Sequence, residues 1–371
     1  MRILLTGAHG FLGWHIRLRL HALTDHEVLP VGRDEWVRLD ELLARCDAVV
    51  HIAGVNRADT DDEVEWGNAT LARDLASAVA AAKRPLRVVF ANSIQSGNVT
   101  AYGRGKQRAA EILRESVDGS GGHLVDVLLP NIFGEHGRPH YNSFVATFVD
   151  ATMRGQSPTI HDRRVGLLHV QDAAQALIDG LSTNATTFSP APEEHSVQEV
   201  WDLLQEFHTS YVPSGEIPNL STKLRIDLFN TYRAALFPEQ YPIRLSPHRD
   251  HRGSFVETIR CRGGQGQTSV STTFPGITRG EHYHLHKVER FAVISGSGTI
   301  KLRKMFTDKV LTFEVTGEQP VAIDMPVGWV HNITNAGDDI LLTQFWSHEL
   351  FRPEAPDTFP EPVRPTPVKE A

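Results

Sequence analysis

Residues 1–13 read MRILLTGAHGFLG, and this stretch decides the first half of the chain. An apolar run, Ile3 to Leu5, gives way at once to glycines spaced GxxGxxG, and a segment of helical period follows. A strand that ends in such a loop and opens a helix can receive a pyrophosphate on the helix N-terminus. Gly7 permits the tight turn, Gly10 lets backbone approach the phosphates, and Gly13 allows the helix to pack against the strand. Gly7, Gly10, Phe11, Leu12 and Gly13 are therefore read as cofactor-binding positions. Working outward, RILLT, EVLPVG, DAVVHIAG, LRVVFANS and HLVDVLLPN are short apolar runs that alternate with helical segments. The first such helix carries Leu12, Ile16, Leu20 and Leu23 on one face. That rhythm predicts crossover units and a parallel, doubly wound α/β sheet, whose ligands sit at the carboxyl ends of the strands.

The second strand ends in GRDE. Arg33 suits a 2'-phosphate, which a guanidinium grips through two donors, whereas Asp34 suits a free ribose hydroxyl. The bidentate option favours NADPH over NADH. Tyr102 and Lys106, in YGRGK, share a helical face at i, i+4 shortly after LRVVFANS, which leaves Ser93 at a strand end. A cation beside a phenol lowers its pKa from about 10, so Tyr102 is expected to exchange a proton with a substrate oxygen near neutrality. Ser93 would hold that oxygen, and Lys106 would also bond the nicotinamide ribose.

From Ser182 to Phe237 the text turns mixed and polar, which fits a substrate-covering subdomain, and FPEQYPIRLSPH with its three prolines reads as a linker. Beyond it SVSTTF, RFAVISG, GTIKLRKM, KVLTFEV, PVAIDM and ILLTQFW are short strands that predict an all-β sandwich or small barrel. The expected boundaries are 1–240 for the dinucleotide-binding domain with its subdomain, 246–351 for the β-domain, and 352–371 for a Pro-rich, extended or disordered tail. Within the β-domain, ITRGEHYHLHKVERFAVISGSG places His282 and His284 on one face of a strand, and a hairpin can bring Glu289 beside them. DMPVGWVHNITN supplies His331. Three imidazoles and a carboxylate form a plausible first shell for Zn, Fe, Mn or Ni, with zinc the expected ion, and His286 continues the alternation as a fifth group.

Composition excludes several function classes. The 371 residues carry a formal net charge of -8 with no run of Lys or Arg, which speaks against nucleic acid and anionic membrane as partners. No segment approaches the roughly 18 apolar residues of a membrane span, and the first apolar run is too short for a signal peptide. Cys46 and Cys261 lie far apart, so a disulfide framework is not expected and the natural location is the cytoplasm.

TGAHGFLG, HIAGVNR (51–57), the Ser93, Tyr102, Lys106 set, PNIFG (130–134) and LLHVQDAAQAL (167–177) together resemble the extended short-chain dehydrogenase/reductase family, with its Rossmann-type fold. The resemblance implies that Ala53 and Gly54 line the cofactor, that Arg57 and Asn131 lie near substrate, and that Asn68 occupies a helix position often found in these enzymes. The spacings HxHx4Ex6G and PxGxxHxxxN match both motifs of the cupin (jelly-roll) family, apart from a glycine missing six residues before Pro326. RGEHYH, and HRDHRGSFVE with Asp250, Arg252 and Glu257, are similar to segments of dTDP-4-keto-6-deoxyhexose 3,5-epimerases. That similarity makes Arg252 a substrate contact and His282 a base, whereas the metal reading makes His282 a ligand. The pairing of the two domains resembles the CapF-type bifunctional enzymes. It implies that the cupin epimerises carbon 3 of a UDP-2-acetamido-2,6-dideoxy-4-hexulose and that the reductase reduces carbon 4 with NADPH. The product would be a UDP-N-acetyl-L-talosamine-type 6-deoxy sugar for capsule or O-antigen, made by a homodimer joined through the cupin. The alternatives are a monofunctional nucleotide-sugar epimerase or dehydratase whose cupin only dimerises or binds sugar, a dinucleotide-binding redox regulator, and a cupin dioxygenase.

Overall fold

The protein is described by a computed structural model over residues 1–364. The five apolar runs become β1 (Arg2–Thr6), β2 (Glu27–Val31), β3 (Ala48–His51), β4 (Arg87–Ser93) and β5 (His123–Leu129). With the short strand Thr187–Phe188 they form one sheet in the order β2, β1, β3, β4, β5, Thr187–Phe188, every pair parallel. The runs show no polar alternation because both faces are covered. Ile3, Leu5, Val50, Val89 and Val127 pack on Ile16 and Leu20 of α1 (Phe11–Leu23) and on the helix Val170–Asp179. Leu4, Val49, Val88 and Phe90 face the other way. They meet Leu42 and Leu43 of α2 (Leu39–Ala44), Leu75 and Val79 of α3 (Asp61–Ala81), and Leu113 and Val117 of α4 (Ala101–Gly119).

The expected stripe on α1 is only partly right. Leu23, at its last position, is 48% exposed, while Trp14, His15 and Leu18 are buried. The helix packs on the sheet and also against Val170–Asp179, where Arg19 donates to Gln175 and His15 meets Gln171, so it buries two sides. Strand order reverses direction between β1 and β3, and the loops that follow these two strands open the crevice of the sheet.

Two compact units are present: Met1–Thr147 with Ile160–Gln198, and Phe148–Thr159 with the chain from Glu199 onward. The boundary expected near residue 240 is thus corrected. Residues 199–240 form most of the helix Val197–Ser214 and all of Lys223–Leu236, and both pack with the β-domain. Their buried polar groups find partners there: Tyr211 donates to Asp324 at 2.5 Å, Asn230 to the His286 carbonyl at 2.7 Å, and Arg290 to the Gly215 carbonyl at 2.8 Å. The Pro-rich stretch after them is no exposed linker either. Phe237 and Tyr241 are buried, with Phe237 edge-on to Trp329.

The β-domain holds two five-stranded antiparallel sheets, a cupin-type sandwich. One runs Ile243–Arg244, Val321–Met325, Glu289–Ser295, Leu341–Ser347, Gln267–Thr273. The other runs Val310–Thr316, Ser297–Lys304, Trp329–Asn335, Thr278–Tyr283, Phe359–Pro360. The last strand comes from the expected tail, whose described part is docked. Phe359–Pro360 pairs with Tyr283 and His282, and Arg303 donates to the Val363 carbonyl at 2.7 Å. Residues 365–371 of that tail lie outside the described residues.

Candidate active site and metal centre

The loop after β1 is built by close backbone approach. Gly7 has φ +70°, and a Cβ there would stand 3.0 Å from the Ala53 nitrogen. A Cβ on Gly13 would lie 2.3 Å from the Gly7 carbonyl oxygen, so only glycine lets α1 start this close to the strand. Gly10 is the N-cap, and no side chain caps α1. The first-turn N–H groups, at Phe11 and Leu12, have no intrahelical partner and suit an anion. Thr6, a residue the sequence reading passed over, ties the loop to the next one: its Oγ1 accepts from Ile52 and Ala53 N–H, both at 3.2 Å, and meets His51 Nδ1 at 2.7 Å. These residues fit a dinucleotide. Arg33 and Asp34 are both exposed at the end of β2. It is Glu35 that closes this turn, accepting from Gly32 N–H at 2.8 Å and facing His9 at 3.9 Å. The Gly32 N–H holds the Glu35 carboxyl below its ordinary range.

Ser93, Tyr102 and Lys106 converge at the end of β4. Thr100 caps α4, accepting from Gly103 N–H at 3.1 Å, which sets Tyr102 in the first turn. The glycines of YGRGK have a packing reason: a Cβ on Gly103 would collide with Asn98 and the Gln95 carbonyl, and one on Gly105 would press on Glu65 at 3.0 Å. Tyr102 is flanked by the Ser93 hydroxyl, which favours its ionised form. Lys106 is buried, donates to the Ala91 carbonyl at 2.7 Å and lies 4.7 Å from the Phe90 ring centre. Burial pulls its pKa down to about 8, with Asp126 acting the other way.

The expected effect of this cation on the phenol is not seen. Burial pushes Tyr102 above its ordinary value, and the neighbouring Ser93 side chain is what opposes that rise. The Lys106 ammonium is instead aimed at the strand backbone, and it joins burial in pushing the neighbouring His51 down to about 3. Asn68 is a strut: Oδ1 accepts from Val55 N–H at 3.1 Å and Nδ2 donates to the Val55 and Val64 carbonyls. It fixes the loop that carries Gly54, where a Cβ would stand 3.0 Å from Asn68 Oδ1 and 3.6 Å from Lys106 Nζ.

Arg57 and Asn131 are exposed. Arg57 donates to the His140 carbonyl at 3.2 Å, and Asn131 to the Gly166 carbonyl at 3.1 Å. Just past PNIFG lies Glu135, fully buried and 3.4 Å from His169. Burial would raise this carboxyl, but His169 outweighs it and holds the pKa at about 2.

In the β-domain the four expected ligands come together. His282 and His331 are cross-strand neighbours, His284 follows the first of those strands, and Glu289 opens a strand of the opposite sheet. One donor atom from each lies within 4.8 Å of all the others. Nε2 of His331 is 3.1 Å from Nε2 of His282 and 3.3 Å from Glu289, which is 2.9 Å from Nε2 of His284. The far nitrogens are occupied by carbonyls: His284 Nδ1 by Asp357 at 2.5 Å and His331 Nδ1 by Trp329 at 3.1 Å. A carbonyl can only accept, so each Nδ1 carries the proton and each Nε2 lone pair faces inward, as a divalent metal requires. Burial, together with the His331 and His284 imidazoles, pushes His282 down to about 3 and keeps it neutral. Burial would raise Glu289, but His284 and His331 hold it well below its ordinary range.

One expectation fails here. His286 is not a fifth group: the strand ends at Tyr283, the alternation stops, and its ring lies between Glu349 at 3.2 Å and Asp357 at 3.1 Å. Arg252 is exposed on the hairpin His248–Asp250/Gly253–Phe255 and pairs with Asp250.

Residues 3–188 match the NAD dependent epimerase/dehydratase family, and residues 248–359 the polysaccharide biosynthesis C-terminal domain. The chain belongs to the NAD dependent epimerase/dehydratase family. It is 34% identical over 366 residues to the UDP-2-acetamido-2,6-beta-L-arabino-hexul-4-ose reductase of Pseudomonas aeruginosa, covering 97% of this chain and 98% of that one. The crystal structure of the capsular polysaccharide assembling protein CapF from Staphylococcus aureus is similar over 98% of this chain and 100% of that one, with 32% identity and a TM-score of 0.63. The spore coat polysaccharide biosynthesis protein SpsL of Bacillus subtilis is 26% identical over 123 residues, which are 31% of this chain and 82% of SpsL. The chain is thus a family member with an appended polysaccharide-biosynthesis domain, similar end to end to a reductase and to CapF.

Proposed function

We propose that the chain is a bifunctional nucleotide-sugar enzyme. Its cupin epimerises carbon 3 of a UDP-2-acetamido-2,6-dideoxy-4-hexulose, and its dinucleotide-binding unit reduces carbon 4 to give a UDP-N-acetyl-L-talosamine-type 6-deoxy sugar for capsule or O-antigen. The observation that carries this is the presence, in one chain, of the Ser93, Tyr102, Lys106 set and a separate site of three imidazoles and a carboxylate. The Pseudomonas relative is a hexul-4-ose reductase, which supports the reduction.

NADPH, when bound at the loop after β1, supplies the hydride. Ser93 and Tyr102 hold the carbon 4 oxygen, and Tyr102 gives its proton to the alkoxide as hydride arrives. Its raised pKa keeps the phenol protonated until then. Lys106 steadies the nicotinamide ribose, and Gly54 leaves room beside it. Arg33, exposed at the end of β2, is assigned to the 2'-phosphate. In the cupin, His282, His284, Glu289 and His331 hold a divalent metal, zinc in this reading, which supplies Lewis-acid chemistry beside a ketone whose neighbouring C–H is already acidic. His282 is assigned as a ligand, because its Nε2 stands within the convergent set. Arg57 and Asn131 are assigned to the sugar nucleotide in the reductase unit, and Arg252 to it in the cupin.

A homodimer through the cupin is part of this proposal, and exposed Val270, Phe274 and Ile277 support it. Both cysteines are free, as in a reducing cytoplasm, and no helix among the described residues is long and apolar enough to cross a membrane. The test is NADPH oxidation with the 4-hexulose. Wild type should turn over, and Tyr102→Phe should lose about 10²- to 10⁴-fold in kcat while still binding NADPH. Undiminished turnover by Tyr102→Phe would remove the tyrosine from the mechanism.

A further inference from the structure

The turn that carries His284 is held from a distant part of the chain. We propose that Asp357 is a positioning residue for the metal site, fixing His284 through a segment the sequence presents only as a Pro-rich tail. The inference rests on reading His282, His284, Glu289 and His331 as metal ligands.

Once the strand ends at Tyr283, the next backbone N–H groups leave the sheet ladder. The Asp357 carboxylate takes three of them in succession: Leu285 at 2.9 Å, His286 at 3.0 Å and Lys287 at 2.8 Å. Its own carbonyl accepts from His284 Nδ1 at 2.5 Å. One residue thereby sets both the path of the turn and the tilt of the ring. Asp357 has φ +43°, a left-handed conformation that aspartate tolerates better than most residues but that still needs its surroundings to enforce it. The surroundings do so. Lys287 Nζ donates to the Pro356 carbonyl at 2.7 Å, and on the far side of the histidines Glu361 N–H donates to the Glu281 carbonyl at 2.9 Å. The segment is therefore anchored on both sides of His282 and His284. Asp357 is 7% exposed, so water is a poor substitute for its carboxylate.

The test uses Co²⁺ as the probe. The full-length protein is stripped with a chelator and titrated with Co²⁺ while the visible absorption is followed. Wild type should bind one ion per chain. Asp357→Ala should weaken binding by roughly 10- to 100-fold and shift the Co²⁺ band, because removing a partner that orients a ligand has effects of that size. Asp357→Asn keeps one acceptor oxygen and should recover part of both. If Asp357→Ala does not fold, Asp357→Asn decides: weakened affinity with a shifted band supports the role, and an unchanged titration and spectrum overturn it. Co²⁺ binding by Asp357→Ala equal to wild type, with the same band, overturns the role of Asp357 alone. A wild type that takes up no Co²⁺ overturns the metal reading, and this inference with it.

Discussion

Glu135 shows how much a single buried residue can report. It lies on neither proposed reaction path, yet it is fully buried beside His169 with its pKa held at about 2. A carboxyl held below its unfolded value of about 4.5 stabilises the fold at neutral pH, and that contribution is lost as pH falls from about 4.5 toward 2. Chemical denaturation of wild type and Glu135→Gln should therefore show their stability difference shrinking by about 2 kcal/mol between pH 5 and pH 3. An unchanged difference would mean that the pair carries no linked proton. Residues with a chemical signature of their own were legible: the four donors at 282, 284, 289 and 331 converge as their spacing implied, and Tyr102 lies beside Ser93. What spacing does not convey is direction and distant partnership. Lys106 points at Ala91 and not at the phenol, and Asp357 meets His284 from 73 residues away.

At the scale of elements, the loop between β1 and α1 is the most tightly specified piece. Gly13→Ala would place a methyl 2.3 Å from the Gly7 carbonyl and 2.8 Å from Ala8 Cα, both rigid backbone. The strain, about 1 to 3 kcal/mol for such overpacking, should fall on the turn proposed to hold the pyrophosphate. NADPH affinity, followed by its fluorescence, should drop roughly tenfold or more while the cupin still binds metal. Equal NADPH affinity would show that the turn does not touch the cofactor. The strands were readable because both faces of the sheet are covered and the runs are continuously apolar. The helices Val197–Ser214 and Lys223–Leu236 were not, since they bury polar residues such as Asn230, Thr231 and Arg233 against the β-domain and so lack a clean apolar stripe.

In the proposed function the two units do complementary chemistry. A 4-keto group makes the carbon 3 proton removable, and reduction of that ketone then fixes whichever configuration results. The order of domains along the chain was plain from the change of pattern near residue 246, but the seam between units was not. Residues 199–240 read as polar text beside the reductase, and only their three-dimensional partners assign them to the cupin side. The proposed function couples an epimerisation to a reduction in one chain, and isotope exchange separates the two. The 4-hexulose and NADPH are supplied in deuterium oxide, the sugar product is examined by NMR, and metal content is measured for wild type and His282→Ala. Wild type should show deuterium at carbon 3 and one metal ion per chain, with both lost in His282→Ala. Metal retained with exchange abolished would make His282 the base. Reduction by wild type without any deuterium at carbon 3 would rule out epimerisation and leave the cupin a binding module.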